Sequence, residues 1–290
     1  MEKERIMWLI RSMGLDADSI SNFSYPKYLE LKQSFGETFS NALMNLFYSL
    51  NPSDENVLNK FMKTYVYNES KLEGVNDEDI HGKKEIAGLK KMYEYINSDD
   101  VDYLFDVYTL KDLHFQLFSC TDHPEFGGDF RNYPVYLPGT GTELTDWRMI
   151  RRELDELDPD IKKLYECAPK LKKIRNPEYL FEYMDRCVEL ECKLIKIHPF
   201  GDGNGRAIRG FINKLFKDAG LPLVCIRSNE RTEYQTAMNL ANNEGNYDAI
   251  KDFYRYKICD SIIEFYLKDK VEKYNEANKP ISMSLLKGEN

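Results

Sequence analysis

Twelve consecutive residues, His198-Pro199-Phe200-Gly201-Asp202-Gly203-Asn204-Gly205-Arg206-Ala207-Ile208-Arg209, bring together a proton acceptor, a hard carboxylate, three glycines and two guanidinium groups. Each of these types has a use in handling a polyphosphate. The glycines let the backbone turn and present successive N–H groups, and a helix beginning at this point adds unpaired donors and a partial positive charge. Arg206 and Arg209 stand three apart on one face of that helix's first turns, where positive charge opposes the helix dipole until an anion binds. Asp202 suits Mg²⁺, which takes one or two carboxylates together with substrate phosphates. His198, of a residue type with a pKa near 6.5, is fit to accept a hydroxyl proton. Singly, each has an ordinary structural use: a His before Pro caps a helix, Gly-Asp-Gly makes a turn, and paired arginines are solvated. Their concentration in one short stretch favours chemistry. Two familiar phosphate loops are excluded, because no Gly-Lys-Ser/Thr is present and a helix, not a strand, comes before the glycines.

The elements that must position these residues are helical. Leu180, Tyr183, Met184, Cys187, Val188, Leu194 and Ile195 keep a helical period, and Pro199 predicts a stop near His198. Beyond the loop, Ile208, Phe211, Ile212, Leu215 and Phe216 define a second helix, closed by Gly220 and Pro222. Phe35, Phe39, Leu43, Leu46 and Phe47 mark amphipathic helices within residues 1–66, followed by a Gly-, Asn- and Asp-rich stretch from Ser70 to Gly82. Further helices are expected over 86–96 and 101–118, and a charged helical segment over 147–175 interrupted by Pro159 and Pro169. Between Cys120 and Asp146, Phe130 to Leu137 is rich in aromatic and β-branched residues beside Pro138-Gly139-Thr140-Gly141, which predicts a β-hairpin or structured loop. A stripe of Phe253, Tyr254, Ile258, Ile262, Ile263 and Phe265 marks the last helix, with a frayed tail over 275–290.

Composition agrees with this pattern and bounds the partners. Only 16 Gly and 11 Pro occur in 290 residues, which favours long helices over many turns, so a mostly α protein is expected. The net charge of −9 opposes a sequence-independent grip on nucleic acid or on an anionic membrane, so any anion site must be local. No window reaches 18 apolar residues, and the first 14 carry no secretory pattern. The six cysteines form no C-x-x-C pair, which points to free thiols in a reducing cytoplasm.

At residues 198–209 the chain resembles the Fic family, matching its signature H-x-F-x-[D/E]-G-N-G-R-x-x-R at every defined position. The resemblance implies a Fic-type helical bundle with a small β-hairpin flap, its core at 101–265, an N-terminal helical region at 1–100 and a helix end and tail at 266–290. It implies a protein adenylyltransferase, moving AMP from Mg-ATP to a Ser, Thr or Tyr hydroxyl of a target protein or of the chain itself. His198 would be the base, Phe200 the anchor of the loop, and Asp202 the Mg²⁺ ligand. Backbone N–H groups of Gly203 and Gly205, with the Asn204 side chain, would hold the α- and β-phosphates. Arg206 would stabilise the transferring group and the diphosphate, and Arg209 would hold the γ-phosphate. Tyr133 and Val135, in Phe130–Leu137, would belong to a flap receiving the target by strand addition.

Residues 67–74 resemble the inhibitory motif [S/T]-x-x-x-E-[G/N] of one Fic class, in which the glutamate pairs with the second signature arginine. Glu73-Gly74 fits, whereas Glu69 stands where Ser or Thr is expected. Two other functions stay open at this point: transfer or removal of another phosphate-containing group at the same site, and a nucleotide-binding regulatory module without turnover. The apolar helix faces permit a homo-oligomer.

Overall fold

The structure is a computed structural model that describes residues 12, 20–50, 54–98, 105–137 and 139–270. The chain divides into two compact units, one of residues 53–258 and one of residues 1–52 with 259–290. The smaller contains α1 (Tyr25–Phe35) and α2 (Thr38–Ser49). The Phe47 ring there meets Tyr266 edge-on at 5.0 Å.

The larger unit holds α3 (Glu55–Leu72), α4 (Ile80–Ile96), α5 (Thr109–Phe118), α6 (Ile150–Ile174), α7 (Pro177–Ile197), α8 (Asn204–Ala219) and α9 (Arg231–Glu244). Most of α10 (Asp248–Ile262) also belongs to it. Local chemistry sets several starts. Asp54 accepts from the N–H of Asn56, Asp79 from Gly82, and Asn176 from both Glu178 and Tyr179, with Pro177 as the first residue of α7. The expected stripe on α8 is present, but burial extends around the helix because α4, α5, α6 and α7 all pack against it. Arg206, Arg209, Asn213 and Lys214 are thus carried into the interior with the apolar residues. Such groups must be paired where they sit.

Three sequence expectations change. α3 runs through Leu72, into the stretch expected to be loop from Ser70, which puts residues 67–72 on a helix. Pro159 and Pro169 lie inside one continuous helix. Each costs about 3 kcal/mol in an isolated helix, and burial of Ile150, Leu154, Ile161, Leu164 and Ala168 holds the helix together through them. The third concerns the β-hairpin at 130–137: no strand occurs among the described residues. Its two arms are not laddered to each other because their hydrogen bonds go to the end of α7. The Arg131 N–H donates to Pro199 O at 2.9 Å and the Thr145 N–H to Lys196 O at 3.1 Å. The tail at 275–290 lies outside the described residues.

Candidate active site

α7 ends where Pro199 predicts. His198 takes a left-handed conformation at φ 50°, one of two described non-glycine residues with positive φ. Its N–H still closes the helix onto Leu194 O at 2.9 Å, and its carbonyl accepts from Arg131 Nε at 2.7 Å. The imidazole Nδ1 is 3.3 Å from the Ile195 carbonyl. An acceptor there assigns the proton to Nδ1, leaving Nε2 with a lone pair. Burial lowers the His198 pKa from the usual histidine value, favouring the neutral ring.

The loop is stapled from inside. Phe200 is fully buried and stacks on the His114 ring at 3.8 Å and 7°. Asn204 spends its amide on the same residue, accepting from the Phe200 N–H and donating to its carbonyl, both at 2.9 Å. Its side chain, expected at the phosphates, thus also closes the loop. Phe200→Ala should remove this anchor and destabilise the protein by about 3–5 kcal/mol, as measured by urea unfolding.

His114 completes the staple. Gly128 N–H donates to Nδ1 at 2.9 Å, so Nε2 carries the proton that it shares with Asp202 O at 2.9 Å. Burial pushes its pKa down to about 4. The unfolded chain then binds more protons than the folded one between about pH 6.5 and 4. Stability should be full above that window and fall by up to about 3 kcal/mol as pH drops through it. Denaturant titrations should show this acid slope in the parent and its loss in His114→Gln.

Gly203 caps α8 at φ 71°, and a Cβ on it would come within 2.9 Å of the Phe118 ring. Its N–H donates to Asp202 Oδ1 at 2.7 Å. The first bond within the helix runs from Ala207 N–H to Gly203 O, so the N–H groups of Asn204, Gly205 and Arg206 have no acceptor inside it. The Asp202 side chain is 76% exposed, with Oδ2 at 3.6 Å from Arg206. An exposed carboxylate beside a helix N-terminus with unpaired N–H groups fits Mg²⁺.

Both arginines are already held by carboxylates. Arg206 donates to Glu85 Oε2 at 2.8 Å, while its buried Nε has no hydrogen-bond partner among the described residues. Arg209 is gripped by two glutamates one turn apart on α3 and its C-cap. Nε reaches both oxygens of Glu69 at 3.0 Å, and one terminal nitrogen reaches Glu69 Oε2 at 2.7 Å and Glu73 Oε1 at 2.6 Å. Burial raises the Glu73 pKa, but Arg209 outweighs it and the carboxyl sits below the usual range. For the deeper Glu69, burial wins and the pKa is raised.

A cavity of about 780 Å³ opens beside the loop, lined in part by Glu85, His114, Phe130, Tyr133, Asp202 and Arg206. The Tyr133 hydroxyl lies over Gly201, where an added Cβ would stand 2.2 Å away. Tyr133 is half-exposed and Val135 half-buried, on a segment pinned beneath by Arg131. Arg131 donates to the carbonyls of His198, Tyr133, Thr145 and Ile197 at 2.6–3.3 Å.

Comparison with known proteins includes the 198–209 loop. Residues 104–216 match the family described as Fic/DOC. These residues form a Fic/DOC domain within the chain. A protein adenylyltransferase Fic of Drosophila mojavensis is 33% identical over 203 residues, covering 67% of this chain and 35% of that protein. The Culex quinquefasciatus protein of the same name is 32% identical over 187 residues, 63% of this chain and 33% of its own. This chain thus spans about a third of the length of these relatives. A Fic domain-containing signaling protein of Bacteroides thetaiotaomicron superposes with a TM-score of 0.63 at 17% identity, covering 80% of this chain and 98% of that one. Fic-1 of C. elegans (residues 134 to 508) gives 0.57 at 18%, covering 95% and 84%. At such identities these two speak for the fold alone. No helix among the described residues is long and apolar enough to cross a membrane.

The Fic domain relies on residues that pattern alone does not single out. Arg131, His114 and Glu85 sit 67, 88 and 121 positions from their partners in the 198–206 segment. The one available signal is chemical: an Arg between aromatic residues and a His at a core position of an amphipathic helix each need a partner. Neither says which.

Proposed function

We propose that this Fic domain is a protein adenylyltransferase that transfers AMP from ATP to a Ser, Thr or Tyr hydroxyl of a protein and that Glu73 restrains it. The observation that carries the proposal is the joint placement of a neutral His198 with an available Nε2, the donor-bearing N-terminus of α8 and two buried arginines around one loop. The relatives' names support AMP as the group moved.

In this reading the N–H groups of Asn204, Gly205 and Arg206 receive the α- and β-phosphates, a change from the expected use of Gly203, whose N–H is taken by Asp202. Arg206 neutralises charge on the departing diphosphate and Arg209 holds the γ-phosphate. Asp202, with the phosphates, would hold Mg²⁺, which supplies further charge neutralisation when bound. His198 Nε2 takes the target hydroxyl's proton as its oxygen bonds to the α-phosphorus. The bond from that phosphorus to the bridging oxygen breaks, and diphosphate leaves with the electron pair. Positioning and charge neutralisation supply most of the acceleration. The exposed segment around Tyr133 and Val135 receives the target chain.

Glu73 occupies the outer edge of Arg209, which the γ-phosphate needs. The reading is tested with ATP labelled at the α- or at the γ-phosphorus. Protein should take up the α-label and not the γ-label, and the reverse result would make the activity phosphoryl transfer.

A further inference from the structure

We infer that Glu69 is the positioning residue for Arg209, fixing its guanidinium from behind so that the outer edge stays aimed at a nucleoside triphosphate when Glu73 gives way. This rests on the ATP-site reading above. Glu69 and Glu73 lie one turn apart on α3 and its C-cap, and both reach Arg209, but they are not equivalent. Glu69 is 1% exposed and Glu73 is 31% exposed. Glu69 engages Nε and one terminal nitrogen with both oxygens, whereas Glu73 touches the terminal nitrogen through one.

A guanidinium is planar and rigid, so two bonds along its Nε edge fix the direction of the opposite edge. The Tyr234 ring also packs against it, 5.8 Å from its centre. The other terminal nitrogen is left over Gly205, 2.7 Å from where a Cβ would stand. Gly205 belongs to the first turn of α8, where the phosphates are received. An incoming anion therefore meets Glu73 first and can take its place. It cannot displace Glu69 without stranding a fully buried charge. Glu69, the departure from the Ser or Thr of the inhibitory motif, thus serves the released enzyme as well as the restrained one. Because Arg209 meets only the γ-phosphate, the effect is selective for triphosphate over diphosphate.

The test titrates ATP and ADP, each with Mg²⁺, by calorimetry into the Glu73→Gly/His198→Ala protein, which binds without turnover. The same titration is made after adding Glu69→Gln or Glu69→Ala, with circular dichroism as the check on folding. The expected result is ATP affinity weaker by about tenfold or more with ADP affinity unchanged, the Gln variant retaining part of the preference. Equal loss for both nucleotides, unchanged ATP affinity, or tighter ATP binding through loss of a second brake would each overturn this role. If Glu69→Ala fails to fold, the isosteric Gln variant decides. Failure of the Glu73→Gly/His198→Ala protein to bind either nucleotide would instead overturn the reading of the site, and this role with it.

Discussion

Glu73→Gly should raise AMP transfer roughly 10- to 100-fold. That range follows from the bond it removes: a hydrogen bond to a charged group contributes about 1.5–3 kcal/mol. Glu73 Oε1 lies 2.6 Å from an Arg209 terminal nitrogen, and a γ-phosphate seeking the same nitrogen must first break that bond. Arg209 holds the Glu73 carboxyl below its usual pKa range, so at neutral pH it is charged and paired with that guanidinium. The substitution is mild for the fold. Glu73 is the C-cap of α3 at φ −91° and ψ 2°, a conformation open to glycine, and the buried Glu69 keeps Arg209 paired. Uptake of α-labelled ATP by the enzyme itself and by added protein measures the effect. Equal rates in the parent and a folded variant would remove Glu73 from regulation.

His198→Ala in the Glu73→Gly background should lower transfer by about 10²- to 10⁴-fold, the usual contribution of a positioned general base. ATP affinity should change little if, as proposed, the imidazole meets the target hydroxyl and not the phosphates. The pH profile gives a second signature. Burial lowers the His198 pKa, so protonation removes the base only at pH values below about 6.5. Transfer should rise with pH along an acid limb below that value and be level through neutrality. A limb centred above it would show that some other group controls the rate.

The loop and its two helices could be read from the sequence because their signals are local. Pro199 ends α7, the glycines open the loop, and the apolar repeat from Ile208 defines α8. The partners of that loop could not be read, because they come from afar. Nothing near Glu85 marks it for Arg206, and Glu69 showed only as a mismatch to a motif, although it makes more contacts with Arg209 than Glu73 does. Phe130–Leu137 misled for a related reason. Its residue types suit a strand, yet Arg131 and Thr145 tie its flanks to residues 196–199, a long-range competition that composition does not register. Asn204 carries a further use that its type did not announce: its side chain hydrogen-bonds the Phe200 backbone four residues away.

The most direct test of the adenylyltransferase reading is mass spectrometry of the adduct. Parent, Glu73→Gly and Glu73→Gly/His198→Ala proteins are each incubated with Mg-ATP and cell lysate, and modified peptides are sequenced. One added AMP is expected on a Ser, Thr or Tyr hydroxyl, abundant with Glu73→Gly, scarce with the parent and absent when His198 is also replaced. An added phosphate in its place, or AMP addition that persists without His198, would contradict the adenylyltransferase reading.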